Sequence, residues 1–244
     1  MHYPAPFVLF DTAHLLALAL VALVGGALPL AARRWLSLSW QVHLGQLLGL
    51  MLLVQEIVGI WLRTQYYGEP WTRVLPLHLC GLAVLLTAWT LLWRHYRAYE
   101  IVYFWAWGGA LQALLTPDLR DGFPDPRWIS FFIGHGLILI GVLYATLVYR
   151  FRPWPISILK SLASLALAAL LIAPLNLLLD ANYLFLSQKP QQASLMDLLG
   201  PWPWYLGSLA LLALLSSLVF YLPFLIRDWR ARRTSGTIEK RSLS

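Results

Sequence analysis

The sequence predicts an all-α integral membrane protein, a bundle of seven transmembrane helices with its amino terminus outside and its carboxy terminus cytoplasmic. Three observations carry that reading. Of 244 residues, 59% are hydrophobic and only 12% charged, a balance foreign to water-soluble globules. Apolar runs of about 20 residues recur with short connectors, and at about 1.5 Å per residue each can cross a hydrocarbon core of about 30 Å. The 18 Lys and Arg residues are uneven across the connectors. One side takes Arg33, Arg34, Arg94, Arg97, Arg150, Arg152, Lys160 and the tail; the other takes only Arg63, Arg73, Arg120, Arg127 and Lys189. Basic connectors stay in the cytoplasm, which fixes the orientation.

The spans fall at 10–30, 44–62, 75–93, 101–115, 128–149, 158–179 and 204–225. The first follows MHYPAPF, which has no Lys or Arg, so it reads as a retained span and not as a cleaved signal. The second carries Gln55 and Glu56. The third follows Pro70 and Pro76 and opens with His78 and Cys80, the only cysteine, so no intrachain disulfide can form. The fourth is the shortest and contains Gln112. TPDLRDGFPDPRW precedes the fifth, FRPWP the sixth and GPWPW the seventh, each a Pro-rich break between helices. Trp128, Trp154, Trp202 and Trp204 flank spans, where amphipathic rings favour the membrane interface. Residues 1–226 therefore form one transmembrane domain, and 227–244 a basic cytoplasmic tail. The net charge of +7 owes much to that tail, whose nearest partner is anionic lipid, so no nucleic-acid partner is expected.

Ionisable groups inside a span are costly unless paired or wetted, and each is a functional candidate. They are Asp11 and His14, Glu56, His78 and Cys80, and His135, with Gln55, Gln112, Asn176 and Asp180 as polar companions. With odd spans running inward and even spans outward, all fall in the outer half, within about 11 Å of the outer boundary. Such clustering predicts a polar pocket open to the outer leaflet, with an inner half almost free of ionisable groups. Asp11 and His14 share a helix face, so Asp11 is expected to orient the His14 ring, and Asn176 and Asp180 pair likewise. His78 and Cys80 point about 200° apart on a regular helix, so a base for Cys80 must come from another span. His135, flanked by Gly134 and Gly136, is best placed. Cys80 lies near a helix start, which favours thiolate.

FDTAH at 10–14, LPLHLCGL around Cys80, FFIGHG around His135 and NYLFLSQKP from Asn182 resemble the YwaF and transmembrane protein 164 family of seven-span proteins. The resemblance covers about 5–226. It implies a lipid acyltransferase of a bacterial plasma membrane that moves a fatty acyl chain between phospholipids, with Cys80 and His135 catalytic and Asn182 among the supporting residues. Phospholipid and lysophospholipid are then the partners, and no cofactor is required. Two alternatives stay open. One is a zinc-dependent intramembrane hydrolase using three of Asp11, His14, Glu56, His78 and His135, although no HExxH-type local pair is present. The other is a proton-coupled transporter, which the shallow placement of the polar groups and the lack of a repeat disfavour.

Overall fold

The computed structural model describes residues 5–190 and 195–242, and its regular structure is helical. Five helices are long and apolar enough to cross a membrane: α1 (Thr12–Trp35), α2 (Leu38–Trp61, prolonged by a π turn at Leu62–Tyr66), α6 (Pro126–Leu147), α7 (Pro155–Leu179) and α8 (Trp204–Ser242). The third span is the shorter α3 (Leu79–Trp93), and the fourth joins α4 (Tyr96–Trp105) and α5 (Leu111–Leu115) through a π turn at Ala106–Ala110. Eight helices thus make the seven spans.

Local chemistry sets their ends. The Asp11 carboxylate accepts the His14 N–H at the start of α1, and the Asp125 carboxylate accepts the Arg127 N–H at the start of α6, where Pro126 occupies the first turn. Arg94 and Asp180 end α3 and α7 in the left-handed conformation. Two expected boundaries move. The third helix starts at Leu79 and not near residue 75, because Pro76 lies in the turn before it; the Pro76 backbone comes within 3 Å of where a Cβ on Gly81 would sit, so only glycine fits there. The helix of the seventh span, α8, continues past Pro223 and residue 225 to Ser242, so the basic tail begins as its continuation. Side chains from residue 232 and all of residues 243–244 lie outside the described residues.

Helix α6 is the hub. Within its apolar window 56% of residues are buried, against 11–22% in the other long spans, which turn Leu, Ile and Val toward lipid. It packs on α1, α2, α3 and the α4–α5 span. Gly136 faces α1, with Val21 Cγ2 2.8 Å from a notional Cβ, and Gly134 faces Gln55 of α2. Gln55 in turn donates to the Ser130 carbonyl and hydroxyl at 2.8 Å.

The connectors on the amino-terminal face interlock. Phe7 N–H donates to the Arg120 carbonyl and Gly122 N–H to the Ala5 carbonyl, tying the chain start over the 116–125 connector. Tyr67 donates to Asp125 at 2.7 Å; burial, then this bond, pushes its phenol up to about 12, so it stays a donor. On the opposite face Arg152 holds Asp228 through two bonds of 2.8 and 2.6 Å.

The inner half is not free of ionisable groups. Glu100 of α4 is 2% exposed and accepts from Ser157 at 2.6 Å and from Lys160 at 2.8 Å on both oxygens. The fourth span starts at Tyr96, five residues before the expected 101, because the His95 ring accepts the Ala98 N–H as a cap. That shift draws Glu100 inside.

Candidate functional site

The site lies where α2, α3 and α6 meet. A Cβ on Gly141 of α6 would stand 2.6 Å from Thr87 Cγ2 and 3.0 Å from Leu91 of α3, and 3.7 Å from Leu52 of α2. From that contact toward the outer face, Glu56 is one turn along α2, Cys80 two turns along α3 and His135 six residues along α6, or about 6, 10 and 9 Å. Cys80, seven residues from Thr87, keeps the Thr87 face toward α6. His135 lies between the face that Gly134 turns to α2 and the face that Gly136 turns to α1, and so points into the bundle. Glu56 is within electrostatic reach of both His135 and Cys80. All three side chains are half-buried.

Each has chemistry left to use. His135 Nδ1–H donates to the Phe131 carbonyl at 2.8 Å, and the ring stacks on Phe131 with centroids 4.1 Å apart. In that tautomer Nε2 carries a free lone pair. Cys80 is the second residue of α3, and its own N–H and that of Gly81 belong to the first turn, where no intrahelical acceptor exists. His78, the residue before the helix, provides no side-chain cap. Among the described residues neither the Cys80 thiol nor the Glu56 carboxylate has a hydrogen-bond partner, so thiol and imidazole share a junction without being bonded to each other.

Most other expected residues have structural work. His14, fully buried, accepts the Phe10 N–H on Nδ1 at 3.0 Å and donates Nε2–H to the Leu114 carbonyl at 2.8 Å, between the rings of Phe7, Phe10 and Phe132. Both nitrogens are spent. Asp11 takes the backbone N–H of His14 and not its ring, correcting the expected pairing. Asn176 brackets the Tyr183 backbone at 2.8 and 3.0 Å, whereas Asp180 leaves the bundle to meet Arg73 at 2.6 Å, so the two do not act together. Gln112 donates to Thr116, and Asn182 accepts the Ser187 N–H inside its connector. His78 sits before the helix, so the 200° estimate does not apply to it; its ring packs on Tyr183 and Phe185, with centroids 5.0 and 5.3 Å away.

Two grooves on the bundle surface are apolar. One of about 750 Å³ runs between α1 and α6 past Leu16, Val21 and Phe132, and another of about 280 Å³ runs between α2 and α6. Neither is lined by Cys80 or His135. No three His, Cys, Asp or Glu side chains are grouped to hold a metal among the described residues. Reading the sequence also missed Arg63, from the π turn above Glu56, which acts electrostatically on Glu56, His78 and Tyr183. Its position two turns from Glu56 on the same helix was the available signal.

Fold and site define a polytopic helical membrane protein with a sulfur, an imidazole and a carboxylate at one level of its outer half. The chain belongs to the TMEM164 family, whose model matches residues 9–221. It is also similar to an uncharacterized protein of Treponema pallidum (strain Nichols), 30% identical over 162 residues that cover 64% of this chain and 65% of that protein. No solved structure matches it.

Proposed function

We propose that the chain is an intramembrane acyltransferase that carries a fatty acyl group as a thioester on Cys80, with His135 as its base. The observation that carries this reading is the shared level of Cys80 and His135 at one three-helix junction, with His135 Nε2 left free by the bond from Nδ1 to Phe131. His135 Nε2 takes the thiol proton, and the Cys80 sulfur attacks the ester carbonyl of a phospholipid. The oxygen anion of the tetrahedral intermediate finds the unspent N–H groups of Cys80 and Gly81. Collapse breaks the ester C–O bond, and the departing alkoxide takes the proton from His135, leaving lysophospholipid and a thioester. A second lysophospholipid hydroxyl then gives its proton to Nε2, attacks the thioester and restores the thiol. Water in that place gives net hydrolysis.

Glu56 stabilises the imidazolium formed midway, since it lies within electrostatic reach of His135 and has no hydrogen-bond partner of its own. A site in the outer half of the spans is suited to phospholipid esters, which lie below the headgroups, and the distribution of basic connectors favours the extracytoplasmic leaflet, here of a bacterial plasma membrane in keeping with the Treponema relative. Nothing observed favours the zinc or transporter readings.

Proteoliposomes holding the full chain test it. Transfer of a labelled acyl chain from phosphatidylcholine to lysophosphatidylcholine should occur with the wild type and vanish in Cys80→Ala. Transfer surviving in that variant refutes the covalent mechanism.

A further inference from the structure

Directly outward of the site, two arginines share one carboxylate. Arg63 donates Nε and Nη2 to Glu69 Oε2 at 3.0 and 2.7 Å, and Arg127 donates Nη2 to Glu69 Oε1 at 2.7 Å. The triplet keeps one unit of positive charge. Arg127 Nε is shut off from solvent and has no acceptor, while its guanidinium lies 4.1 Å over the Tyr67 ring. Both arginine side chains stay 37% exposed. They spring from the outer ends of α2 and α6, the helices that carry Glu56 and His135, about 10 and 12 Å outward of those residues. An arginine side chain reaching inward covers about half of that, which is the spacing between a glycerophospholipid's phosphate and its ester carbonyls. The π turn at Leu62–Tyr66 rotates Arg63 relative to a regular helix, as such turns do at functional sites.

We infer that Arg63 and Arg127 form a phosphodiester-binding site that grips the headgroup of the lipid whose ester lies at Cys80, with Glu69 occupying the guanidinium groups until phosphate displaces it. The inference deepens the acyltransferase reading and rests on it. Paired guanidinium groups match phosphate oxygens in geometry and charge, which lysine does not reproduce. A purely mechanical role, in which Glu69 only pins the 67–78 connector to α6, makes the opposite forecast for Glu69 itself.

The experiment reads protection of Cys80 against a thiol reagent in the purified full chain, with dioleoylphosphatidylcholine, dioleoylglycerol, glycerophosphocholine and inorganic phosphate as probes. In the wild type, phosphatidylcholine should protect at a concentration about tenfold lower than dioleoylglycerol, the scale of a charged hydrogen bond. Arg63→Gln and Arg127→Gln should erase that difference and leave protection by dioleoylglycerol unchanged. Glu69→Gln should lower the phosphatidylcholine requirement, because it removes the charge that competes for both arginines and leaves Arg63 only its bond to the Arg73 carbonyl at 3.3 Å. If Glu69→Gln weakens phosphatidylcholine as the arginine variants do, the triplet is only a latch and the inference fails. If inorganic phosphate or glycerophosphocholine protects as well as phosphatidylcholine, the lipid assignment fails. Equal protection of the wild type by both oleoyl lipids overturns the headgroup site and leaves the acyltransferase reading standing; protection by neither overturns both.

Discussion

Among the described residues two glutamates lie within the helical spans, and their surroundings are opposite. Glu100, in the inner half, is sealed by Ser157 and by Lys160 on both oxygens. Glu56, in the outer half, has no hydrogen-bond partner and faces a thiol and an imidazole that are also incompletely satisfied. The same contrast separates His14, whose two nitrogens are both spent, from His135, which keeps one. A polar group in hydrocarbon is expensive either way. The saturated ones hold helices together; the unsaturated ones, gathered at one junction, are those to which the proposed function gives the chemistry.

Substitutions can break that contrast. His135→Gln should lower acyl transfer by about 10²- to 10⁴-fold, the usual worth of a general base, without changing thermal stability. A His14→Gln variant that loses as much transfer while keeping its stability would dissolve the distinction. Lys160→Met strands Glu100 at 2% exposure with only Ser157 to serve it, and should cost about 3 kcal/mol in a denaturation series, with transfer per folded molecule intact. Glu56→Gln should reduce transfer about tenfold and leave stability unchanged, since no native bond is lost. A large loss of stability there would mean that Glu56 is structural after all. The smallest effect is expected from Asp11→Ala, which removes a helix cap and should cost about 1 kcal/mol with transfer unaffected.

The spans could be read from sequence because lipid imposes a length and a composition on each of them. Cys80 and His135 could be placed at similar depths by counting residues from the span ends; in the structure they lie about 10 and 9 Å outward of the contact between Thr87 and Gly141. His14 could not be told from His135, since its decisive partner is the Leu114 carbonyl, 100 residues away. Glu100 escaped because apolar content does not reveal the His95 cap that starts α4 early. The triplet of Arg63, Glu69 and Arg127 joins the end of the α2 span and the connector after it to the start of α6, with Glu69 and Arg127 58 residues apart, and neither π turn disturbs the hydrophobic pattern. What stayed hidden was pairing at long range, which no local period encodes.

The covalent intermediate decides most. Purified full chain mixed with phosphatidylcholine carrying a labelled acyl chain, and quenched in acid before an acceptor is added, should gain the mass of one acyl group at Cys80. Hydroxylamine should remove it, Cys80→Ala should never acquire it, and His135→Gln should acquire it far more slowly. Transfer proceeding at full rate with Cys80 unmodified throughout would contradict a thioester mechanism.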